Sequence, residues 1–446
     1  MNHNTDTIAA IATAPGVGGV GIIRISGSQA LNIGQQLSGK KPQVRQATVA
    51  SFTYDSQLID SGLLLYFQGP ASFTGEDVVE LQIHGGPVVL NMLLKAVLNS
   101  GARMARAGEF SERAFLNDKL DLIQAEAIAD VIAGGSEQAV LAAQRSLQGE
   151  FSKHIHGVLQ QLIETRVWLE SAIDFPEEEI DFLSDQELHS KLETLQTSLR
   201  HTLEQTQSGI VLNKGIHIAL IGIPNAGKSS LLNALTQEDS AIVSPQAGTT
   251  RDTVRQDIHI QGIPIRLVDT AGIHQTDDWI EQQGIERAKQ EASKADVVLW
   301  VIDATVDIET QTPVIAEVEK QSKLIPVINK KDLHTSEIEL PATYYQASTI
   351  SALTGHGIDA LQDRIVALVS GGTPIESTFS ARTRHLDHLK KTMHHVETAV
   401  QHLHDGQGEL SAEELRLAQE QLSALTGEFS SDDLLGEIFS SFCIGK

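Results

Sequence analysis

The stretch Gly222-Ile-Pro-Asn-Ala-Gly-Lys-Ser229 fits the phosphate-loop pattern G-x-x-x-x-G-K-[ST] and decides how the middle of this chain is read. An apolar run, Ile216-His-Ile-Ala-Leu-Ile221, precedes it and reads as a buried strand. Ser230-Leu-Leu-Asn-Ala-Leu235 follows and reads as the start of a helix. The pattern needs that strand–loop–helix setting, because loop amides and the helix N-terminus must converge on phosphate oxygens. Gly222 and Gly227 let the backbone approach the phosphates, with Asn225, Ala226 and Ser230 in the same contact stretch. Lys228 brings positive charge to the β- and γ-phosphates and is assigned a catalytic role, and the Ser229 hydroxyl is suited to Mg²⁺.

Working outward, Asn329-Lys330-Lys331-Asp332 says which base accompanies the phosphates. A carboxylate at Asp332 accepts from both N1–H and the 2-amino group of guanine, neither of which adenine presents. A site built on that pair discriminates by about four orders of magnitude. Asn329 braces the loop and Lys330 lies over the purine plane, while Ser351-Ala352-Leu353 offers a backbone contact to O6. Asp269-Thr270-Ala271-Gly272 follows an apolar run; its aspartate is placed like a metal-shell acid and its glycine amide like a γ-phosphate sensor. Between these motifs Gly248-Thr249-Thr250-Arg251-Asp252 forms a polar loop in which Thr250 completes Mg²⁺ coordination. The residue after Gly272 is Ile273, which can neither orient water nor stabilise charge, and no arginine finger is evident in cis. Asn225 has two readings: it shapes the loop, or its amide oxygen binds a monovalent cation beside the β–γ bridge.

The surrounding pattern predicts an α/β and α+β multidomain protein. Ile263–Val268, Val297–Ile302, Leu324–Ile328 and Thr343–Ala347 are apolar-leaning runs that suit a mostly parallel sheet covered on both faces. Together with the phosphate loop they predict a Ras-like, doubly wound G domain over residues 213–372. Residues 119–212 and 373–446 are helical in texture and form one helical domain into which the G domain is inserted. Glu187–Gln207, free of glycine and proline, reads as a long helix. Residues 1–118 read as a small α+β domain, with strands at Thr7–Ile11, Gly21–Ile25, Leu63–Phe67 and Val78–Ile83. A helix after Pro87 is expected to carry Val88, Val89, Met92, Leu93 and Val97 on its apolar face.

Bulk properties narrow the function. The hydrophobic fraction of 41% marks a globular protein, and no apolar run reaches bilayer length. The N-terminal residues lack the basic start of a secretory signal, and the single cysteine, Cys443, fits a reducing cytoplasm. A net charge of −25 repels phosphate, so RNA contact requires a local basic patch or a partner protein.

The chain resembles the MnmE (TrmE) family of bacterial tRNA-modification GTPases over essentially its whole length. The resemblance rests on Gly18-Gly-Val-Gly-Ile-Ile-Arg-Ile-Ser26, Ser72-Phe-Thr-Gly-Glu-Asp77, Glu80, His84-Gly-Gly86 and Gly108-Glu-Phe-Ser-Glu-Arg-Ala-Phe-Leu-Asn117, as well as the nucleotide motifs and Phe442-Cys-Ile-Gly-Lys446. It implies that residues 1–118 bind folate and dimerise, with Arg24, Glu80, Lys119 and Lys446 contacting 5-formyl- or methylenetetrahydrofolate. It implies K⁺ held by Asn225 with Ser244, Gln246 and Thr249, and nucleotide contacts that also include Pro245, Ala247 and Gly248. Ser244 and Gln246 depart from the family's residues, which matters little if the K⁺ contacts are backbone carbonyls. Glu281 matches the family's water-positioning acid and answers the vacancy at Ile273; without the resemblance it reads as a solvated glutamate at a helix start. The implied reaction uses GTP hydrolysis, an FAD-containing partner (MnmG) and a homodimer in a heterotetramer-type complex. Together these install an aminomethyl or carboxymethylaminomethyl group on C5 of the wobble uridine of certain tRNAs.

The competing reading is a ribosome-assembly GTPase switch. It expects a second G domain or a basic RNA-binding appendix, and the sequence shows one phosphate loop and no such module. The histidines between His385 and His402 read as a polar helix face rather than a metal site, and Trp168, Trp279 and Trp300 as packing residues. Cys443 is either inert or has a redox or nucleophilic role.

Overall fold

The structure is a computed structural model that describes residues 6–174, 186–237, 255–269, 290–315, 323–333, 340, 346–370, 378–427, 432–440, 442 and 445. They fall into two units, one drawn from residues 1–129, 147–188 and 395–446, the other from 130–146 and 189–394.

The first unit is built on six strands: β1 (Ile8–Ile11), β2 (Gly18–Ser26), β3 (Thr48–Tyr54), β4 (Gln57–Phe67), β5 (Val78–Gly85) and β6 (Arg103–Met104). They lie in the order β3-β4-β5-β2-β1-β6, antiparallel except for the β1–β6 pair. Alternation sends Ile23, Ile25, Val79, Leu81, Ile83, Leu64 and Phe52 into one core, shared with helices α1 (Ala30–Ser38) and α2 (Pro87–Asn99). Helix α2 begins with Pro87 at its first position, where no amide bond is lost. Its buried face is Leu90, Leu93, Leu94, Ala96 and Val97, while Val88 and Met92 are exposed. The face expected from sequence is thus rotated: Leu90, Leu94 and Val97 form an i, i+4, i+7 stripe that outcompetes Val88 and Met92.

Strand β3 has no counterpart in the sequence reading. It joins β4 through Asp55 and Ser56, both at positive φ (49° and 64°), a two-residue hairpin made without glycine. Two further helices, α3 (Glu109–Leu116) and α4 (Leu122–Ala133), follow the sheet. The end of the chain packs on them: Leu435, Ile438, Phe439 and Phe442 form a buried cluster with Leu122 and Ala125. Gly445 lies so close to β1 that a Cβ there would stand 2.3 Å from the Ile11 carbonyl oxygen.

After α4 the chain continues through helices α5 (Glu137–Leu147), α6 (Glu150–Asp174) and α7 (Gln186–Lys214). Helix α7 is the long helix expected at Glu187–Gln207, extended by seven residues at its C-terminal end, from Ser208 to Lys214.

In the second unit the strands are β7 (Ile216–Ile221), β8 (Arg255–Ile260), β9 (Ile263–Asp269), β10 (Val297–Asp303), β11 (Lys323–Asn329) and β12 (Ser348–Thr349). Their order is β12-β11-β10-β7-β9-β8, parallel except for the β8–β9 hairpin. Both faces are covered, as the continuous apolar runs required. Ile218, Leu220, Leu299 and Val301 face Leu231, Leu232, Leu235, Leu361 and Ile365 on one side. Ala219, Ile221, Val298, Trp300 and Ile302 face Ala292, Ala295 and Ile315 on the other. Trp300 is a packing residue, as expected, and Trp168 is half-buried. The last strand is shorter and later than Thr343–Ala347: Gln346 and Ala347 are outside any strand, and residues 343–345 lie outside the described residues. His385 is buried rather than on a polar face, its Nδ1 accepting the Arg382 N–H at 3.1 Å. No cluster of metal-ligating side chains occurs among the described residues.

A charge network centred on the buried Glu109 and Arg113 ties α3 to Asp6, Glu76 and Arg103. Glu109, 2% exposed, accepts from Arg103 Nη2 at 2.5 Å, the Arg106 N–H at 2.8 Å and Arg113 Nη2 at 3.1 Å. Arg113 also reaches Glu76 at 3.0 Å and Asp6 at 2.8 Å. Burial pushes the Glu109 carboxyl up, but the bonds from Arg103, the Arg106 amide and Arg113 outweigh it and hold the group at about 2. The depressed value means that Glu109 stabilises the fold fully above its ordinary range near 4.5 and loses that contribution as pH falls towards 2. The unfolding free energy of the wild type minus that of Glu109→Gln, measured with urea, is therefore expected to shrink by about 3 kcal/mol between about pH 5 and pH 2. A difference independent of pH would refute the assignment.

Candidate functional site

The parallel strands β7, β9, β10 and β11 end at one edge of their sheet, where open α/β folds bind ligands. The phosphate loop leaves β7 at Gly222 and enters helix α8 (Lys228–Gln237). Asn225 sits in the left-handed region at φ 62°, a conformation that asparagine tolerates, with its side chain exposed. Gly227 is at φ 92°, and a Cβ there would lie 2.2 Å from Asn329 Nδ2. A side chain at 227 would displace the residue that holds the loop. Lys228 folds back across its own loop, donating to the Gly222 and Ile223 carbonyls at 2.7 and 2.8 Å. Ser229 and Ser230 open helix α8 and are exposed, where an anion meets the helix dipole and backbone amides.

Asn329 joins the two halves of the site. Its Nδ2 donates to the Ala226 carbonyl at 2.9 Å, and its Oδ1 accepts the Ala352 N–H at 3.0 Å. The side chain is 2% exposed, so these bonds face no competition from water. Lys330, at φ 64°, places Nζ 2.6 Å from Asp303 Oδ2. Asp332 is exposed and accepts from the buried Ser351 hydroxyl at 2.5 Å, which fixes the orientation of its carboxylate. The Lys331 N–H donates to the Ile350 carbonyl at 3.1 Å, docking this loop onto the one carrying Ser351, Ala352 and Leu353. The Ala352 amide, expected to face O6, is bound here by Asn329, and Leu353 is exposed.

Asp269 ends β9, in register with Leu220 of β7. Ser244, Pro245, Gln246, Ala247, Gly248, Thr249, Thr250, Thr270, Ala271, Gly272, Ile273, Glu281, Cys443 and Lys446 lie outside the described residues. The elements that are described bring the phosphate loop and the Asn329–Asp332 loop to one edge, with the Ser351 loop beside them.

In the first unit, Arg24 on β2 and Glu80 on β5 are direct cross-strand partners, bonded at 3.0 Å. The Arg24 guanidinium lies 5.5 Å from the Phe73 ring centre and 5.8 Å from that of Phe110. Lys119 Nζ donates to the Pro70 carbonyl at 3.1 Å. Arg24 and Lys119 therefore both reach the segment 70–77. Sequence reasoning missed what pins that segment: Ser26 Oγ on Glu76 at 2.7 Å, Asn117 Nδ2 on the Thr74 carbonyl at 2.7 Å, and Arg113 on Glu76. These residues stand in the quoted motifs, but their pairing was invisible along the chain. Asp303 and Gln311 belong to no motif and were missed altogether.

A phosphate loop tied by a buried asparagine to a carboxylate-bearing base loop defines a guanine-nucleotide-binding P-loop domain. Family models place it further. Residues 7–119 match the model described as the GTP-binding protein TrmE N-terminus, and residues 122–443 match the MnmE helical domain. The tRNA modification GTPase MnmE of Francisella tularensis subsp. holarctica is 48% identical over 452 residues, covering 100% of both chains. That of Francisella philomiragia subsp. philomiragia is likewise 48% identical with 100% of both chains covered. The chain belongs to the MnmE (TrmE) family. Among solved structures, a single-residue variant of Aquifex aeolicus Era bound to GDP.AlF4⁻ is 29% identical, covering 40% of this chain and 66% of that one. Its TM-score of 0.28 is too low for the superposition to bear on function.

Asn329→Ala would strip the Ala226 carbonyl and the Ala352 amide of their partner in a buried setting, at about 1–3 kcal/mol. GTP and GDP affinities, measured with fluorescent nucleotides, are expected to fall together by about tenfold or more. Unchanged affinity for both would show that the two loops are held by other means.

Proposed function

We propose that this protein is a K⁺-activated GTPase that works with an FAD-containing partner of the MnmG kind. Together they add an aminomethyl or carboxymethylaminomethyl group to C5 of the wobble uridine of certain tRNAs, with tetrahydrofolate supplying the one-carbon unit. Family membership carries the coarser part, a GTPase of tRNA modification. The finer part is supported by one observation above all: both ends of the chain converge on a single strand pair. Gly445, the neighbour of Lys446, lies against Ile11 of β1, and β1 pairs Ala10 with Arg24 of β2. A folate site of Arg24, Glu80, Lys119 and Lys446 needs that convergence.

The donor set fits a pterin ligand. Glu80 can accept from the guanidine-like edge of a pterin, and Arg24 and Lys119 can meet a glutamate tail. On the nucleotide side, Ser229 with Thr250 suits Mg²⁺, and the exposed Asn225 amide, with Ser244, Gln246 and Thr249, suits K⁺. A cation there neutralises charge that develops on the β–γ bridge, the work of an arginine finger. Glu281 is assigned to the attacking water. Residues 1–118, 119–212 with 373–446, and 213–372 are proposed as the folate and dimerisation, helical and G domains. No helix among the described residues is long and apolar enough to cross a membrane. A ribosome-assembly switch has no observation in its favour.

Nucleoside analysis of tRNA from a strain lacking the gene is expected to show loss of the C5 modification; unchanged wobble uridines would overturn the function. Turnover at equal ionic strength is expected to be at least about tenfold faster in KCl than in NaCl, since a smaller ion fits the oxygen cage poorly. Equal rates would remove K⁺ from the mechanism. Deleting Cys443 to Lys446 is expected to weaken 5-formyltetrahydrofolate binding in calorimetry while leaving basal GTP turnover close to normal. Unchanged folate affinity would exclude the C-terminus from the site.

A further inference from the structure

We propose that Asp303 is a positioning residue of the guanine site: by binding the Lys330 ammonium it holds the lysine stem as the platform on which the purine lies. The proposal rests on reading Asn329 to Asp332 as the base loop.

Asp303 ends β10 in register with Asn329 at the end of β11, so the strand pairing itself sets the carboxylate beside the base loop. Its backbone is clamped by the buried Gln311, whose Oε1 accepts the Asp303 N–H at 2.9 Å and whose Nε2 donates to the Asp303 carbonyl at 3.0 Å. The side chain is oriented by Thr305, whose N–H and hydroxyl donate to Oδ1 at 2.9 and 2.7 Å. Oδ2 is left for Lys330 Nζ at 2.6 Å. The residue is only 4% exposed, and a carboxylate that deep needs a cation and hydrogen bonds to stay ionised. Burial pushes the Asp303 carboxyl up, yet Lys330 and Thr305 bring it below the ordinary carboxylate range.

The consequence for the nucleotide is entropic. A free lysine side chain gives up about 2 kcal/mol of rotamer freedom when it is fixed. Here the fixing is done before the base arrives, by a rigid acceptor on the sheet rather than by the ligand. Lys330 also sits at a left-handed φ of 64°, which lysine adopts only when its surroundings hold it there. The Asn329 bonds on one side and the Asp303 pair on the other supply that hold. Three side chains of the loop thus have assigned anchors: Asn329 on the phosphate loop, Lys330 on Asp303, and Asp332 on Ser351.

The test is a double-mutant cycle on the full-length chain, read by fluorescent mant-GDP affinity and by GTP turnover at saturation. Asp303→Asn keeps the shape and removes the charge; Lys330→Met keeps the stem and removes the ammonium. Each is expected to weaken mant-GDP binding by about tenfold, with the loss falling on KM for GTP more than on saturated turnover. The double variant is expected to be no weaker than either single one, because both remove the same interaction. Additive losses would overturn the proposal by showing that Asp303 acts through the fold. Loss in Lys330→Met with none in Asp303→Asn would overturn it by showing that the ammonium meets the nucleotide directly. Asp332→Asn is the reference for the underlying reading: normal guanine affinity in that variant would mean that the loop is not the base site, a failure separate from that of the pair. If Asp303→Asn does not fold, Thr305→Val takes its place. A loss of about threefold that vanishes in the Lys330→Met background supports the role, and an additive loss overturns it.

Discussion

The nucleotide site depends on the two hydrogen bonds of one buried side chain, the Asn329 amide. One end holds the carbonyl of Ala226 inside the phosphate loop, and the other holds the amide of Ala352 in the loop that carries Ser351. Three loops that leave three different strands are fixed relative to one another by a single planar group. The same group limits its surroundings, because Gly227 must lack a side chain for Nδ2 to reach Ala226. The match between a glycine in the first motif and an asparagine in the second is therefore steric as much as chemical.

Much of this site was legible in the sequence because each motif does its work locally. A phosphate loop needs a strand before it and a helix after it, and Ile216–Ile221 and Lys228–Gln237 supply them within a few residues. The apolar runs at 263–268 and 297–302 were equally plain, since strands buried on both faces have little choice of residue. What escaped depends on pairing across distance or on turns without their usual residues. Strand β8 reads Arg-Gln-Asp-Ile-His-Ile, too polar to stand out, because it is an edge strand. Strand β3 was hidden by a hairpin that uses Asp55 and Ser56 where Asn-Gly would signal the turn. Asp303 takes its meaning only from the register of β10 against β11, and Gln311 only from its bonds to the Asp303 backbone.

The first unit shows the same limit more strongly. Its motifs were recognisable as blocks, yet the blocks gave no hint that Glu76, Glu109, Arg103, Arg113 and Asp6 are one network. Arg113 and Asp6 stand 107 residues apart in the chain and meet only because α3 is laid beside β1. Buried ion pairs are a poor source of stability when compared with apolar packing, and their retention is better explained by what they orient. Here they orient residues 70–77, the segment that Arg24 and Lys119 both touch.

A shared pattern then connects the nucleotide site with the Arg24–Glu80 pair of the first unit. Lys228 is turned onto two carbonyls of its own loop, Lys330 is paired with Asp303, and Arg24 is paired with Glu80. Each of these cations is held by an acceptor of the protein itself. Because these side chains are already oriented, little of a ligand's binding energy would go into ordering them. The arrangement also suits a chain with a net charge of −25, in which unpaired cations would be drawn towards many competing carboxylates. Pairing each cation with one chosen acceptor removes that competition and fixes the direction of its side chain.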